Sequence, residues 1–196
     1  MSSAVLWTGG KDCCLALYRA LENNHHISTL VTFIPKDKEF KAHPLELIKK
    51  QASDLGLPLL LLEIVEPFKE SYVQRLKELK DSHGVSTVIT GDIDYVSGCS
   101  NWIKDCCEMA GLESYFPLWQ EPRLSLLQDL LKRKMEVQIS WINHPSLPWE
   151  WIGRHIDEEF IRDIEMINRT IPVDLCGENG EYHTMVLNLK SVVKST

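Results

Sequence analysis

The chain has 196 residues, of which 44% are hydrophobic and 25% are charged, proportions typical of a globular protein that needs neither disulfides nor metal to hold its core. Its formal net charge is −7 and it has no continuous block of basic residues, which argues against strong nonspecific binding of nucleic acid. No apolar run approaches the length of a membrane span, and the first residues do not resemble a signal peptide.

The spacing of the cysteines indicates a reducing compartment. Two adjacent pairs suit a disulfide framework poorly, and neither C-x-x-C nor the usual zinc spacing occurs. Reduced thiols in a cytoplasmic protein are therefore expected. The six cysteines are Cys13, Cys14, Cys99, Cys106, Cys107 and Cys176.

The first two thirds of the chain alternate short apolar runs with amphipathic segments, the pattern of a doubly wound parallel sheet. The amphipathic segments have helical spacing, and several end at glycine. The continuous apolar run 58–65 predicts a strand that is buried on both faces. Strands are predicted at 3–7, 27–34, 58–65 and 87–90, and helices at 11–23, 44–55, 68–82 and 100–110.

The pattern changes after Pro117-Leu118-Trp119. We therefore expect a doubly wound core over residues 1–122 and a smaller C-terminal α/β lobe over residues 123–196. The elements predicted in this lobe are helices at 124–134 and 157–168 and strands at 137–142 and 185–189.

Two glycines separate the first predicted strand from the first predicted helix, in the run Trp7-Thr8-Gly9-Gly10-Lys11. Glycine lets a backbone approach a ligand closely, and the first N–H groups of a helix have no partner within the helix. Because the helix dipole also favours negative charge there, the junction predicts a phosphate site, with a tight turn as the alternative. Gly91 and Asp92 follow the fourth predicted strand at the same edge of the sheet, where ligands bind in such folds.

The spacing of this loop excludes two common phosphate motifs. The pattern G-x-x-x-x-G-K-[ST] is absent because Gly10 directly precedes Lys11, and G-x-G-x-x-G does not occur. The run instead resembles S-G-G-x-D-S, the pyrophosphate loop of the ATP pyrophosphatases, which cleave ATP between its α and β phosphates. Thr8 keeps a hydroxyl at the first serine position, and both glycines and Asp12 match. Cys13 stands at the last serine position, where its thiol is a weak hydrogen-bond donor.

A second polar segment, Cys176 to Thr184, gathers side chains that can carry chemistry. The carboxylates of Glu178 and Glu181 can orient an amine, bind magnesium or act as bases. His183 can relay protons, because histidine titrates near neutral pH. The alternative is a solvated turn between a helix and a strand, with His183 in a structural role.

Four motifs occur in the order seen in the diphthine–ammonia ligases and their short prokaryotic relatives. The resemblance runs from about residue 3 to residue 190, and the last motif is its specific part. It implies a Rossmann-like fold, similar to the adenine-nucleotide α-hydrolases, with a smaller C-terminal lobe. It also implies that ATP activates a carboxylate, that pyrophosphate leaves, and that ammonia displaces AMP to form an amide. The motifs are Thr8–Asp12, Gly91–Ile93, Pro117–Trp119 and Cys176–Thr184.

The resemblance implies that the glycine loop holds the pyrophosphate part of ATP. Asp12 is expected to hold Mg²⁺ or to orient the loop, and its alternative role is to complement the helix dipole. Lys11 is expected to add its charge to the phosphates, and its alternative is to face solvent. The residues expected to bind ATP are Thr8, Gly9, Gly10, Lys11, Asp12 and Cys13.

The resemblance also implies four catalytic residues, Asp92, Glu178, Glu181 and His183. The two glutamates are expected to contact the substrate or ammonia, or to deprotonate ammonium. Asp92 ends a buried strand, and its alternative role is to cap the next segment.

The acceptor is less well defined than ATP. Relatives carry arginines in the segment after Asp92, but this chain has none between Arg75 and Arg123. That segment is expected to face the acceptor, so the sequence supports ATP better than it supports diphthine. Trp119 is expected to pack, and Arg123 to meet a phosphate or an acidic substrate.

The expected partners are ATP or AMP, ammonia, and an acceptor carboxylate such as a modified histidine of elongation factor 2. Neither a membrane nor a nucleic acid is expected as a partner. A homodimer is among the expected assemblies. Two other functions stay open. One is an ATP pyrophosphatase that acts on RNA, which the acidic charge disfavours. The other is a protein that binds ATP or AMP without turnover, which Cys13 keeps open.

Overall fold

The computed structural model describes residues 1–36, 44–95 and 101–189. No helix within these ranges is both long enough and apolar enough to cross a membrane. The strands are β1 (Ser2–Leu6), β2 (His26–Pro35), β3 (Leu59–Ile64), β4 (Val85–Ile89), β5 (Glu113–Tyr115), β6 (Glu136–Ile142) and β7 (Tyr182–Asn188). The helices are α1 (Lys11–Glu22), α2 (Leu45–Leu55), α3 (Phe68–His83), α4 (Trp102–Ala110), α5 (Arg123–Lys132) and α6 (Glu158–Asn168), with a single 3-10 turn at Trp149–Trp151.

Strands β1 to β5 form one parallel sheet in the order β3-β2-β1-β4-β5. Side chains alternate between its two faces, as strand geometry requires. Val5 and Ile89 belong to the hydrophobic cluster that includes α1 and α2, whereas Ala4 and Val88 belong to the cluster that includes α3 and α4. Helices therefore cover both faces, and the predicted doubly wound α/β fold is confirmed.

The strand order reverses at β1. The chain runs outward from β1 to β2 and β3, and then places β4 on the other side of β1. The loops that leave β1 and β4 diverge at this point and open a crevice at the carboxyl ends of the strands, the usual ligand site of such sheets. The glycine loop of residues 8–10 follows β1, and Gly91-Asp92 follows β4, so both lie at the crevice.

Two strands of the sheet differ from the prediction. The prediction that β3 is buried on both faces is wrong, because β3 lies at the edge of the sheet and Leu61 is 38% exposed. Strand β5 was not predicted, because it is only three residues long and begins with a glutamate and a serine. Short polar strands of this kind are tolerated at the opposite edge of the sheet.

The C-terminal part contains α5, α6 and the antiparallel pair β6–β7. Strand β7 begins three residues earlier than predicted, since Tyr182 and His183 pair with Ile142 and Trp141 of β6. The other predicted helices and strands agree with the structure to within a few residues.

Helix α1 joins the two parts of the chain. It contacts β1 and β4 of the large sheet and also β7. The larger hydrophobic cluster accordingly holds Leu15 and Leu17 of α1 together with Ile139 and Phe160 from the C-terminal part. The boundary expected between residues 122 and 123 stays a prediction, and the hydrophobic core is continuous across it.

Truncation of Leu17 tests the continuity of this core. Leu17 is fully buried, so Leu17→Ala is expected to lower the free energy of unfolding by about 2–5 kcal/mol. Urea unfolding followed by circular dichroism and by tryptophan fluorescence should give one shared transition, displaced to lower urea. The control is Met166→Ala on α6, where the side chain is 64% exposed, and the expected change is below about 0.5 kcal/mol. Two separate transitions, of which Leu17→Ala moves only one, would contradict a continuous core.

Candidate functional site

A cleft of about 340 Å³ opens where the strand order reverses. Its lining divides by chemistry into two sets. An apolar set comes from β1, β2, α3 and α4 and consists of Leu6, Trp7, Val31, Phe33, Tyr72 and Ile103. A polar set comes from the β1–α1 loop, the end of β4 and the C-terminal segment and consists of Thr8, Asp12, Cys13, Thr90, Gly91, Asp92 and Glu178.

The β1–α1 loop takes its shape from hydrogen bonds to β7 and α2. Gly9 has a φ of +81°, and a Cβ at this position would lie 2.7 Å from Oε1 of Gln51, so glycine is required. The Gly9 carbonyl accepts hydrogen bonds from the backbone N–H of Val186 and from the Gln51 amide, both at 3.0 Å. A strand of the C-terminal part therefore fixes the loop of the N-terminal part.

Gln51 is a residue that the sequence analysis missed. It is 2% exposed, and its amide donates to the carbonyls of Gly9, at 3.0 Å, and Val186, at 2.7 Å. Its own oxygen accepts from the indole N–H of Trp7 at 2.9 Å. One buried polar group thus joins α2, the loop and β7. The signal in the sequence is a glutamine on the apolar face of a helix, three residues after Ile48.

The start of α1 is built to receive an anion. Gly10 precedes the helix and has no side chain to cap it. The backbone N–H of Lys11 donates to the Thr184 hydroxyl at 3.1 Å. The next N–H groups, of Asp12 and Cys13, have no acceptor within the helix. These donors and the positive end of the helix dipole therefore face the crevice side of the loop.

Lys11 does not face solvent, since it is 2% exposed. Its ammonium donates to the two carboxylate oxygens of Asp12, at 3.0 and 2.7 Å, and to the carbonyl of Cys176 at 2.5 Å. Burial opposes the charged form, but Asp12, together with Cys176 and Glu178, outweighs burial and raises the pKa of Lys11, so the ammonium stays charged. Contact with a phosphate would require Lys11 to exchange these partners.

Thr8 and Cys13 line the cleft together. The Thr8 hydroxyl donates to Cys13 Sγ at 3.8 Å, and the Cys13 thiol donates to the carbonyl of Gly10 at 3.2 Å. Burial raises the pKa of Cys13, so the side chain is a neutral thiol at neutral pH. At the position where the related loops carry a serine, this chain presents a weak donor that already bonds the backbone.

The end of β4 packs directly on the first turn of α1. A Cβ on Gly91 would lie 2.6 Å from the carbonyl carbon of Asp12 and 2.6 Å from the backbone nitrogen of Cys13. No larger residue fits unless the turn moves, so Gly91 sets the spacing of the two loops that form the crevice.

Asp92 lines the cleft and is held on both carboxylate oxygens. Oδ1 accepts from the Thr90 hydroxyl at 2.9 Å, and Oδ2 accepts from the Asn101 amide at 2.8 Å. Asn101 Oδ1 in turn accepts the backbone N–H of Lys104 at 3.0 Å. The role of helix cap, expected as the alternative for Asp92, therefore belongs to Asn101, which the sequence analysis did not single out.

Glu178 brings the C-terminal segment to the cleft. Its Oε1 accepts the backbone N–H groups of Ile93, at 2.9 Å, and Asp94, at 3.3 Å. Burial raises the pKa of Glu178 to about 7; the carboxylates of Asp12 and Asp92 add to the effect, and the two N–H donors oppose it. The cleft thus contains a carboxylate that can take or give a proton near neutral pH.

Glu181 lies outside the cleft and is 7% exposed. Its carboxylate accepts the backbone N–H groups of Asp174, at 2.8 Å, and Asn179, at 3.0 Å. The side chain therefore holds the turn that carries Glu178. The sequence could not separate the two glutamates, because they share one short polar run.

His183 also lies outside the set of residues that line the cleft. It pairs with Trp141 in the β6–β7 ladder and is half-buried. Burial and the charge of Lys11 lower the pKa of His183, so its imidazole is neutral at neutral pH. The neighbouring Tyr182, on the opposite face of β7, is buried, and its hydroxyl donates to the carbonyl of Leu175 at 2.6 Å.

Arg123 supports the C-terminal segment. Its Nε donates to Asp174 Oδ2 at 2.8 Å, and its terminal nitrogen donates to Asp94 Oδ2 at 3.2 Å. Asp174 Oδ1 accepts the backbone N–H of Cys176 at 2.8 Å. Any contact of Arg123 with a phosphate would compete with these two carboxylates.

The cleft has carboxylates but no ready-made metal cage. Within the described ranges, no three His, Cys, Asp or Glu side chains are arranged to hold a metal ion. Asp12, Asp92 and Glu178 line the same cleft. Because Mg²⁺ commonly takes one or two carboxylates and completes its shell with phosphate and water, these residues fit an ion that arrives with a nucleotide.

A parallel sheet with a glycine loop, an uncapped helix start and a cleft at its switch point defines an α/β nucleotide-binding protein. Comparison with known protein families shows to which family of this class the chain belongs. Residues 1–114 match the family described as diphthamide synthase N-terminal domain, and residues 123–191 match diphthamide synthase C-terminal domain. The chain belongs to the diphthamide synthase family.

Similar proteins agree with this assignment. The diphthine–ammonia ligase of Rattus norvegicus is 25% identical over 218 residues, which cover 96% of this chain and 79% of that protein. The diphthine–ammonia ligase of Homo sapiens is 23% identical, with the same 96% and 79% covered. A crystal structure of a predicted subunit of tRNA methyltransferase from Methanocaldococcus jannaschii has a TM-score of 0.55 and 16% identity, covering 97% of this chain and 98% of that one. At that identity the likeness concerns the fold alone.

Gly91→Ala tests the close packing at the crevice. The added methyl group would collide with the backbone of the first turn of α1, so the loop must shift. We expect the Kd for ATP, measured by calorimetry, to rise at least about tenfold.

The matched control is Gly56→Ala. Gly56 also has a positive φ, of +66°, but an added Cβ meets nothing within 4 Å. This variant should lose some stability and bind ATP as the parent protein does. Unchanged ATP binding in a folded Gly91→Ala variant would show that the loop spacing is not critical.

Proposed function

We propose that this protein is an ATP-dependent, amide-forming ligase that acts on a diphthine-type carboxylate. The observation that carries the proposal is the meeting of three features in one cleft: the glycine loop, Asp92 at the end of β4, and Glu178 from the C-terminal segment. The family match and the names of the relatives support it. A nucleotide site beside an acid–base group is what such a reaction needs.

ATP would occupy both chemical sets of the lining. The adenine would lie against the apolar set, where the rings of Phe33 and Tyr72 have centres 4.2 Å apart. The phosphates would lie on the N–H groups at the start of α1. A cleft of about 340 Å³ is within the usual range for small-molecule sites.

Asp12, whose side chain is 31% exposed, would hold Mg²⁺ that arrives with ATP. The ion, when bound, would offset the negative charge on the departing pyrophosphate. Lys11 would then share the Asp12 carboxylate with the ion.

The proposed reaction has two steps. A carboxylate oxygen of the acceptor attacks the α-phosphorus of ATP, pyrophosphate leaves, and an acyl adenylate forms. Ammonia then attacks the acyl carbon, AMP leaves with the bridging oxygen, and the nitrogen loses one proton. Adenylation is needed because a free carboxylate is charged and has no good leaving group.

Glu178 is proposed to accept the proton that nitrogen loses. A general base works best when its pKa is close to the working pH, and the pKa of Glu178 is about 7. The N–H groups of Ile93 and Asp94 hold Oε1, and Oε2 takes no part in those two bonds.

The other three residues that the sequence marks as catalytic are proposed to act differently. Asp92 lines the cleft, where it would orient the acceptor or the ion. Glu181 and His183 lie outside the cleft lining and would support the segment that carries Glu178.

The acceptor is proposed to be a modified histidine of elongation factor 2, because diphthamide is a modification of that factor. The cytoplasm is the proposed compartment, and the free, buried cysteines are consistent with it. A homodimer is also proposed, since the exposed Trp141 and Trp149, whose ring centres are 6.3 Å apart, would be covered in it.

The test uses the purified protein with ATP, Mg²⁺, ammonium and elongation factor 2 isolated from cells that lack this activity. AMP, pyrophosphate and an amidated factor are expected in equal amounts. ADP and phosphate as products would contradict the mechanism. ATP binding without any product would favour a nucleotide-binding protein, and AMP formation that depends on added RNA would favour the RNA-directed alternative.

Glu178→Gln tests the proposed base. Glutamine keeps an oxygen for the N–H groups of Ile93 and Asp94, so the turn should fold. The kcat/KM of the parent protein should rise with pH and level off above about pH 7. The variant should lose this rise and about 10²–10⁴-fold of the rate. The control is Glu158→Gln on α6, where the side chain is 85% exposed. This variant should change neither the pH dependence nor the rate.

Unfolding gives a readout of Glu178 that does not need turnover. Because the folded state raises the pKa of this carboxyl, the folded state binds its proton more tightly than the unfolded chain does. Stability should therefore fall as pH rises from the ordinary pKa of glutamate to about 7, and the fall should be smaller in Glu178→Gln. A pH profile of activity that the substitution leaves unchanged would exclude Glu178 as the base.

A further inference from the structure

A second cavity, of about 350 Å³, lies beside the cleft at the ends of β4 and β5. Its lining shares no residue with the cleft and is not used by the chemistry proposed above. The residues that line it are Tyr95, Asn101, Lys104, Ser114, Phe116 and Trp119.

Three aromatic rings line this cavity, and two of them lie at steep angles to the third. The ring of Tyr95 meets that of Trp119 at 89° with centres 5.0 Å apart, and the ring of Phe116 meets it at 63° with centres 5.4 Å apart. None of the three belongs to either hydrophobic cluster of the core. The three rings instead form a separate aromatic group in which Tyr95 and Phe116 each contact Trp119 edge to face.

Steeply inclined rings suit a compact, rounded guest better than a flat one. A planar base stacks on parallel faces, and at angles of 89° and 63° neither Tyr95 nor Phe116 is parallel to Trp119. A quaternary ammonium group is round, has no N–H to satisfy, and is attracted to the faces of aromatic rings. Such groups are typically bound in aromatic boxes of this kind.

Two carboxylates next to the cavity favour a cationic group in it. Asp94 directly precedes Tyr95 and accepts its backbone N–H at 2.8 Å. Asp92 accepts the amide of Asn101, which lines the cavity.

Asp92, Asp94 and Asn101 connect the cavity to the cleft through hydrogen bonds. Asp92 lines the cleft, and its partner Asn101 lines the cavity. On the same segment, Asp94 bonds to Glu178, which lines the cleft. A ligand in the cavity therefore lies next to the groups proposed to activate and amidate a carboxylate.

We propose that this cavity binds the quaternary ammonium group of the acceptor, a carboxylate that bears the ammonium on its adjacent carbon. This inference rests on the proposed function, because diphthine is a betaine of this type. With the ammonium among the three rings, the carboxylate lies at the rim shared with Asp92. Tyr95, Phe116 and Trp119 thereby select the acceptor and have no part in binding ATP.

Binding of a small betaine tests the inference without turnover. The probes are 2-(trimethylammonio)butanoate and its carbon isostere 2-tert-butylbutanoate, titrated by calorimetry into the protein with a non-cleavable α,β-methylene analogue of ATP. The parent protein should bind the betaine about 3- to 30-fold more tightly than the isostere. The two probes have the same shape, so the difference reports the positive charge.

Two variants and one control show which side chains cause the preference for the betaine over its isostere. Trp119→Leu and Tyr95→Leu should abolish it, and Tyr95 is 50% exposed, so its substitution should leave the fold intact. Trp149→Leu removes a tryptophan that is 59% exposed elsewhere and should keep the preference. Binding of the ATP analogue should be unchanged in all three.

The outcomes separate this inference from the proposed function. Equal affinity for both probes, no binding of either, or a preference that survives in Trp119→Leu and Tyr95→Leu overturns the aromatic site. Amidation of elongation factor 2 with an unchanged KM in both variants overturns it as well, and leaves the proposed function standing. A betaine preference that depends on the rings, in a protein that forms no AMP, sustains the site and rejects the ligase.

Discussion

The site depends on the hydrogen bonds that fasten the β1–α1 loop to β7. The carbonyl of Gly9 accepts both the backbone N–H of Val186 and the amide of Gln51. The N–H of Lys11 donates to Thr184 of the same strand. A glycine loop left to itself has many conformations, and these bonds select the one in which the start of α1 opens onto the crevice. The glycine loop of the N-terminal part is therefore held in place by a strand from the C-terminal part.

The same attachment brings the acidic C-terminal segment close to the loop, and electrostatics then divides its residues by role. Cations of the protein hold three of the nearby carboxylates: Lys11 pairs with Asp12, and Arg123 pairs with Asp94 and Asp174. Glu178 has only backbone N–H donors and keeps a pKa of about 7. Burial raises the pKa of both Asp12 and Glu178 in the cleft lining, but Asp12 is paired with Lys11 whereas Glu178 accepts only from the backbone N–H groups of Ile93 and Asp94.

Much of the fold could be predicted from the sequence because its signals are local. Alternating apolar and amphipathic segments predict the doubly wound sheet, and the glycine loop and Asp92 were placed at the correct edge. The exposure of β3 could not be predicted, because an apolar run does not show whether a neighbouring strand exists. The structural role of Glu181, the buried ion pair of Lys11 and the contacts of Gln51 all depend on partners far along the chain. Spacing in a sequence carries no information on such partners.

The central claim is that this cleft joins the acceptor carboxylate to the α-phosphorus of ATP. The most direct measurement follows oxygen from an acceptor whose carboxylate is labelled with ¹⁸O on both atoms. Adenylation followed by attack of ammonia predicts that the AMP product carries one ¹⁸O and that the amide keeps the other. Mass spectrometry of both products gives the answer. Unlabelled AMP, or ¹⁸O recovered in inorganic phosphate together with ADP, would contradict the account.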